Sequence, residues 1–326
     1  MRRMKPEQYV KRILDFACQR DVSDIFFLPQ KDKMIIKMRE IDGIHDYQLL
    51  EADFAVGVIN YLKFTSDMDI SEHRRPQAGA RNFNFRDQVV NLRLSSLGNY
   101  SNKESLVIRL IYPLRQLTQN ELNGQQWQDI MNQRGLILFS GPTGSGKTTA
   151  MYQLTKKYSQ HKIVLAIEDP VEVIEPDFLQ IQVNKRAQMS YADLIRTSLR
   201  HRPDILILGE IRDEESSEMA IRAALSGHLV ISTVHARNKF AVIGRMMELG
   251  ISQRELHSVL NCVIYQRLIL QTTGIVKAYR DVLLEENLSQ AIQIPQSNYS
   301  DWQTMLQIDY KKGLLDEQTY QRYKTG

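Results

Sequence analysis

A glycine-rich segment near the middle of the chain has the residues and the spacing needed to bind phosphate groups. Residues 141–149 read GPTGSGKTT and match the pattern GxxxxGK[ST]. An apolar stretch, 136–140, precedes this segment and a helical pattern, 147–159, follows it. Glycines let backbone N–H groups surround a phosphate, and the N-terminus of the following helix attracts negative charge.

This segment predicts a site for a nucleoside triphosphate and Mg²⁺. We expect Lys147 to reach the β- and γ-phosphates and the Thr148 hydroxyl to ligate Mg²⁺. The predicted nucleotide-binding residues are Gly141, Pro142, Thr143, Gly144, Ser145, Gly146, Lys147, Thr148 and Thr149. The alternatives are a site that binds nucleotide without hydrolysing it and a fortuitous glycine-rich turn.

Carboxylates follow two other apolar stretches. The segment ILILGE, 205–210, ends in Glu210, which could polarise water as a general base. An ordinary Walker B motif carries an aspartate where Gly209 stands, so the residue that usually orders the Mg²⁺ shell is missing. Glu168 and Asp169 end the other stretch and could supply a carboxylate that holds a Mg²⁺-bound water. A structural glutamate and a plain charged turn are the alternatives.

Two histidines enclose the apolar stretch 229–233. His228 precedes this stretch, and His235 follows it shortly after Thr233. The position of Thr233 and His235 at a strand end favours contact with a γ-phosphate, although a lone histidine is more often structural. Two histidines without a cysteine or a third ligand make a poor metal site, so no zinc site is expected.

The first part of the chain, residues 1–112, mixes helical and strand-like patterns and predicts a small α+β domain. The expected helices and strands are 6–19, 51–64, 24–28, 34–38, 89–94 and 105–110. Residues 113–130 are rich in polar side chains and predict a linker.

The second part, residues 131–284, alternates apolar strands with helices, which is typical of an α/β domain with a mostly parallel sheet. The expected strands are 136–140, 163–167, 205–208 and 229–233, and the expected helices are 147–159, 190–200, 214–225 and 252–265. Residues 285–326 predict a small helical appendage. Its expected core residues are Trp302, Met305, Leu306 and Ile308.

Composition and charge narrow the classes of function. With 43% hydrophobic and 25% charged residues, the chain has the composition of a globular protein. No apolar run reaches the roughly 18 residues that span a membrane, and no apolar core follows the basic start, so we expect a cytoplasmic chain. Its two cysteines lack CxxC spacing and predict reduced thiols.

The net charge of +4 is concentrated in residues 1–20, which themselves sum to +4. The remainder of the chain is therefore neutral overall, and direct binding of nucleic acid is not expected. The basic start is either a solvated helix face or a contact for anionic lipid.

Four of these segments, in this order, resemble the secretion ATPase superfamily, whose members drive type II secretion, type IV pili and DNA-uptake pseudopili. Residues 141–149 resemble its Walker A loop, and 167–172 (IEDPVE) resemble its Asp box. Residues 202–213 (RPDILILGEIRD) resemble its atypical Walker B motif, in which a glycine precedes the glutamate, and 226–236 (SGHLVISTVHA) resemble its His box. The resemblance implies a RecA-like domain that binds ATP and Mg²⁺, preceded by a PAS-like α+β domain. Glu168, Glu210 and His235 become candidate catalytic residues.

The first part of the chain resembles the same family. Residues 92–95 and 107–110 resemble its arginine-bearing strands, which implies that Arg93 and Arg109 are candidate arginine fingers. A structural ion pair is the alternative for these arginines. Phe26 departs from the histidine that is usual at its position in the family.

Within the family, the chain looks most like the competence ATPases of Gram-positive bacteria, because no four-cysteine zinc loop follows residues 266–268. This resemblance implies a homohexamer at the inner face of the membrane that powers assembly of a pseudopilus for DNA uptake. Its implied partners are an integral membrane platform protein and, indirectly, pilin-like subunits. The alternatives are a pilus retraction or type II secretion motor, a nucleic-acid translocating motor and a nucleotide-gated scaffold.

Overall fold

The chain forms two compact units, Met1–Pro113 and Leu114–Gly326, each with its own sheet. The computed structural model describes residues 4–114, 122–184, 187, 189–294 and 301–324. Two sheets covered by helices confirm the predicted mixed α/β class. None of the helices in these described ranges is both long enough and apolar enough to cross a bilayer.

The first unit is built on an antiparallel sheet. Its elements are α1 Pro6–Gln19, β1 Asp24–Gln30, β2 Lys33–Glu40, β3 Gly43–Glu51, α2 Ala52–Phe64, β4 Gln77–Phe85, β5 Gln88–Gly98 and β6 Glu104–Ile111. The six strands lie in the order β3-β2-β1-β6-β5-β4, and every neighbouring pair is antiparallel. The predicted helix 6–19 is confirmed, because its apolar residues recur at helical spacing and are buried with one face of the sheet.

The second unit alternates strands and helices. Its elements are α3 Gln125–Met131, β7 Gly135–Ser140, α4 Lys147–Tyr158, β8 Val164–Glu168, β9 Leu179–Gln182, α5 Tyr191–Ser198, β10 Ile205–Leu208, α6 Glu214–Leu225, β11 Leu229–Val234, α7 Lys239–Glu248, α8 Gln253–Val259, β12 Leu260–Leu270, β13 Val276–Leu284, α9 Glu285–Gln293, α10 Asp301–Lys311 and α11 Glu317–Tyr323.

The sheet of the second unit has seven strands in the order β13-β12-β7-β11-β10-β8-β9. Neighbouring strands are parallel except for β12 and β13, so the prediction of a mostly parallel sheet is confirmed. The strands β7, β8, β10 and β11 are fully buried, because apolar cores cover both faces of the sheet. The ends of these four strands therefore define one edge at which loops can carry polar side chains.

Two predicted elements differ from the structure. The helix expected at 252–265 ends at Val259, and the chain continues as β12, which pairs with β7 and β13. A short apolar run fits a buried helix and a buried strand equally well, and here pairing with neighbouring strands decides. The predicted linker 113–130 contains most of α3, whose Trp127 and Ile130 are buried; residues 115–121 lie outside the described part of the chain.

The carboxy-terminal helices pack on the β12–β13 hairpin. Trp302 and Leu306 are buried beside Tyr265 and Tyr279, and Met305 packs against this cluster, as predicted. Ile308, however, is exposed, because it lies on the opposite side of α10 from this apolar cluster.

Candidate functional site

Four strands of the second unit end at the same edge of the sheet. The glycine-rich loop follows Ser140 at the end of β7, Glu168 ends β8, Glu210 lies just beyond β10 and His235 follows β11. These strands are parallel and hydrogen-bonded in register, so the residues that follow them lie at one edge. In open α/β sheets this carboxyl-terminal edge is where ligands bind.

The glycine-rich loop has the backbone shape of a phosphate cradle. Gly141, Gly144 and Gly146 have φ angles of 142°, 78° and 74°, which residues with side chains rarely adopt. Lys147 begins α4, and its ammonium group donates hydrogen bonds of 3.0 Å to the carbonyls of Gly141 and Pro142. The loop therefore curves around the lysine at the N-terminus of a helix.

The chemistry of this cradle fits an anion and a cation together. The Ser145 hydroxyl is buried and has no hydrogen-bond partner among the described residues. Burial lowers the pKa of Lys147, while the negative charges of Glu210 and Glu172 act in the opposite direction. A buried lysine, an unpaired hydroxyl and a helix N-terminus suit phosphate groups, and the carboxylates nearby suit a magnesium ion.

Thr148 contacts a carboxylate that the sequence prediction did not include. Its hydroxyl donates a 2.9 Å hydrogen bond to Glu172, an exposed residue four positions beyond the end of β8. The predicted metal ligand, Asp169, is exposed as well. Hydrogen bonding to Glu210 raises the pKa of Arg212, and the charge of Asp169 adds a smaller effect in the same direction. Both Asp169 and Glu172 can thus offer oxygens at this edge.

Glu168 points into the protein. It is 2% exposed and accepts a hydrogen bond from the Tyr152 hydroxyl of α4, which also accepts one from Gln180 at 2.8 Å. Burial raises the pKa of Glu168 to about 7. A Cβ atom placed on Gly209 would lie 3.1 Å from Cγ of Glu168. The side chain of Glu168 therefore leaves little space next to position 209, which favours a glycine there over a larger residue.

Glu210 and His235 are brought together, as a shared role would require. His235 Nε2 lies 3.2 Å from Glu210 Oε1, and Arg212 donates a 2.7 Å hydrogen bond to Glu210 Oε2. The side chain of Glu210 is 21% exposed, so water can still reach it. Arg212 lies only two residues beyond Glu210 but was not among the site residues predicted from the sequence. This arrangement holds a carboxylate in place at the edge that carries the glycine-rich loop.

Thr233 and His228, the other two residues predicted from this segment, bond to backbone carbonyls. The Thr233 hydroxyl is buried and donates a 2.8 Å hydrogen bond to the carbonyl of Gly209, so it ties β11 to the end of β10. His228 precedes β11, and its ring lies 3.2 Å from the carbonyl of Ala223. His228 lies at the opposite edge of the sheet from the glycine-rich loop. His235 is therefore the histidine of this pair that lies at the site.

The predicted arginine fingers lie in the middle of strands in the first unit. Arg93 on β5 is directly opposite Arg109 on β6, and Arg109 is opposite Asp24 on β1. Arg109 Nε donates a 3.1 Å hydrogen bond to Asp24, and Arg39 lies 3.5 Å from the same carboxylate. Arg109 thus takes part in an ion pair while its side chain stays 59% exposed.

Comparison with known proteins defines the class. The family described as "Type II/IV secretion system protein" matches residues 4–305, and the chain belongs to this family. The expected relation to secretion ATPases is thereby confirmed. The fold agrees: the ATPase DotB of Legionella pneumophila aligns with a TM-score of 0.82 over 100% of this chain and 97% of that one, at 19% identity.

Relatives narrow the relationship further. The chain is 41% identical over 273 residues to the competence protein ComGA of Streptococcus pneumoniae, covering 81% of this chain and 84% of that protein. It is 33% identical over 348 residues to the competence protein ComGA of Bacillus subtilis, covering 97% of both. The expected resemblance to the competence branch is confirmed by these relatives.

Proposed function

We propose that this chain hydrolyses ATP at the carboxyl-terminal edge of the second sheet and uses the energy as a motor. The observation that carries the proposal is the convergence of the Lys147 loop, the Thr148–Glu172 pair and the Glu210–His235 pair at that edge. A phosphate cradle beside a held carboxylate is what hydrolysis of a phosphoanhydride requires.

The loop binds the triphosphate in this proposal. The backbone N–H groups of residues 144 and 146–148 and the Ser145 hydroxyl hold the phosphates, while the Ser145 N–H donates a 3.2 Å hydrogen bond to the Pro142 carbonyl. The Lys147 ammonium reaches the β- and γ-phosphates. The Thr148 hydroxyl, Asp169 and Glu172 hold Mg²⁺. When bound, Mg²⁺ neutralises negative charge on the phosphate oxygens.

Glu210 acts as the general base. Its carboxylate accepts a proton from water as the water oxygen bonds to the γ-phosphorus and the bond to the β–γ bridging oxygen breaks, which yields ADP and phosphate. His235 and Arg212 keep the carboxylate oriented through the contacts described above. Glu168 contributes by fixing Tyr152 of α4, because it is buried against that hydroxyl. The family resemblance supports Arg93 and Arg109 as arginine fingers.

The motor acts in a larger assembly in this proposal. We assign the chain to a homohexamer at the inner face of the membrane that drives an integral membrane platform protein, so that pilin-like subunits are added to a competence pseudopilus for DNA uptake. The support is sequence similarity: the alignments span 97% of the Bacillus subtilis competence protein and 84% of the Streptococcus pneumoniae one.

ATP turnover by the purified full chain tests the chemistry. Lys147→Ala removes the ammonium from the phosphate cradle, and we expect turnover to fall by about 10²–10³. Lys157→Ala is the matched control, since this lysine is exposed at the far end of the same helix. Equal turnover in Lys147→Ala and the parent chain would show that ATP is not hydrolysed at the Lys147 loop.

The same preparation tests the motor. We expect the platform protein in membrane vesicles to stimulate turnover and light scattering to give the mass of a hexamer. Stimulation by DNA alone would point instead to a nucleic-acid motor. Binding of ATP without any turnover would point to a nucleotide-gated scaffold.

A further inference from the structure

The hairpin of β12 and β13 contacts the phosphate-binding loop directly. Gln266 of β12 is 2% exposed, and its Nε2 donates a 2.6 Å hydrogen bond to the backbone carbonyl of Ser145. Arg280 of β13 donates a 2.6 Å hydrogen bond to Oε1 of the same glutamine. Since a guanidinium group only donates and a carbonyl only accepts, these two partners determine which end of the amide faces the loop.

The same strand lies close to the loop at two of its glycines. A Cβ atom on Gly141 would lie 2.2 Å from the carbonyl oxygen of Gln266, and one on Gly146 would lie 2.9 Å from Leu268. These separations are far shorter than ordinary van der Waals contact, so the loop backbone is packed against β12. The hairpin, which the sequence prediction missed, therefore shapes the loop from its far side.

The peptide between Ser145 and Gly146 is the point at which this support matters. In a trans peptide the carbonyl and the following N–H point in opposite directions. The Ser145 carbonyl is directed at Gln266, so the N–H of Gly146 points away from β12. Gly146 has a φ of 74°, and a glycine offers little steric resistance to rotation of this peptide. The hydrogen bond from Gln266 is what opposes that rotation.

We propose that Gln266 and Arg280 are positioning residues of the phosphate-binding loop. Gln266 holds the Ser145–Gly146 peptide with its N–H toward the phosphates, and Arg280 holds the amide of Gln266. Neither residue takes part in the chemical step. This inference rests on the proposed binding of nucleotide by the loop and goes beyond it, because it assigns a role to a hairpin outside the predicted motifs.

Affinity for fluorescent mant-ADP tests the inference in the full chain. Gln266→Met loses both hydrogen bonds, and Gln266→Glu keeps the acceptor for Arg280 but loses the donor to Ser145. We expect both to weaken binding by about tenfold, the effect of one lost buried hydrogen bond. Arg280→Met should weaken it by about threefold, and Arg280→Lys, which keeps a donor, should restore most of this. In turnover, KM should rise while kcat changes little.

Two controls separate positioning from general damage. Gln271→Met removes a buried amide just beyond the same strand that bonds to Asp309 instead of the loop, and it should bind mant-ADP like the parent. Hydrogen exchange of residues 141–149 should accelerate in Arg280→Met, with an unchanged melting temperature. If the Gln266 variants do not fold, this exchange measurement alone tests the positioning role.

Binding within twofold of the parent in both Gln266 variants, or unchanged exchange in Arg280→Met, would overturn the positioning role. Failure of the underlying function gives a different result. If Lys147→Ala also binds and hydrolyses nucleotide like the parent, the site itself is elsewhere, whatever the Gln266 variants show.

Discussion

The two sheets of this protein carry their reactive side chains in different places. In the second unit, Lys147, Glu210 and His235 follow the ends of parallel strands. In the first unit, Arg93 and Arg109 project from the middle of antiparallel strands. A strand end is a junction with a loop, so each polar group there is fixed by backbone shape and by neighbouring strands, whereas a side chain in mid-strand is fixed by its cross-strand neighbours.

The two sets of residues are held in place by different interactions. The groups at the strand ends have buried, directional supports, such as Tyr152 on Glu168 and Gln266 on Ser145. The arginines form a row with Arg39 across four strands, in which Asp24 pairs with Arg39 and Arg109, and Arg93 lies opposite Arg109. Because like charges on opposite residues repel, the balance of positive and negative charge determines how firmly the side chains of this row are held. Substitutions at the strand ends should accordingly have the larger effects.

The largest effect is expected at Glu210. Glu210→Gln keeps the size of the side chain but removes the base, so turnover should fall by about 10²–10⁴ while nucleotide still binds. Steady-state ATPase kinetics and mant-ATP binding measure the two quantities. Glu218→Gln, in an exposed ion pair with Arg222 on α6, is the control and should keep parental turnover. Parental turnover in Glu210→Gln would exclude Glu210 as the base.

Glu168 should make stability depend on pH. Burial raises its pKa from the ordinary 4.5 to about 7, so between these values the folded chain keeps this carboxyl protonated while the unfolded chain has lost the proton. Its contribution to the free energy of unfolding is complete below pH 4.5 and falls by about 3 kcal/mol as the pH rises to 7. Urea unfolding across this range measures the slope. Glu168→Gln should flatten it, and an equal slope in that variant would place the titrating group elsewhere.

Gly209→Ala tests whether Glu168 leaves too little space for a side chain at position 209. The added Cβ would meet Glu168 at 3.1 Å, and we expect the free energy of unfolding to fall by about 1–3 kcal/mol. Gly244→Ala on α7 is the matched control, because no atom lies within 4 Å of its added Cβ. The cost at 209 should shrink in a Glu168→Ala background, since the two side chains then no longer compete. Additive costs would refute the competition.

The two exposed carboxylates that follow β8, Asp169 and Glu172, can be ranked by their contribution to metal affinity. Glu172→Gln should weaken Mn²⁺ binding in the presence of ADP by about tenfold, as measured by electron paramagnetic resonance, because Glu172 contacts the Thr148 hydroxyl. Asp169→Asn should have the smaller effect. The reverse order would make Asp169 the principal ligand and leave Glu172 as a partner of the hydroxyl.

The smallest effect is expected in the first unit, at Asp24. Arg39 and Arg109 are 50% and 59% exposed, so water compensates much of a lost ion pair. Asp24→Asn should lower the free energy of unfolding by less than about 1 kcal/mol, and high salt should reduce the difference. A loss of several kcal/mol in urea unfolding would show that this row is held as firmly as the strand ends.

Local pattern was enough to predict the strand-end residues. An apolar run followed by a polar residue identifies a strand and the group at its end, which is why the Lys147 loop, Glu210 and His235 were placed correctly at one edge. The helix predicted at 252–265 is present only as far as Val259, and the remainder was predicted wrongly, because pairing of β12 with β7 and β13 cannot be read from periodicity alone. The contacts around the site were missed for a related reason: Thr148 and Glu172 are 24 residues apart, and Gln266 and Ser145 are 121 apart.

The close approach of Glu168 to Gly209 has an evolutionary consequence. A larger residue at 209 would meet the Glu168 side chain at about the distance of the added Cβ, so one of the two side chains would have to shift or shorten. We therefore expect a residue with a side chain at 209 to occur together with a change at 168.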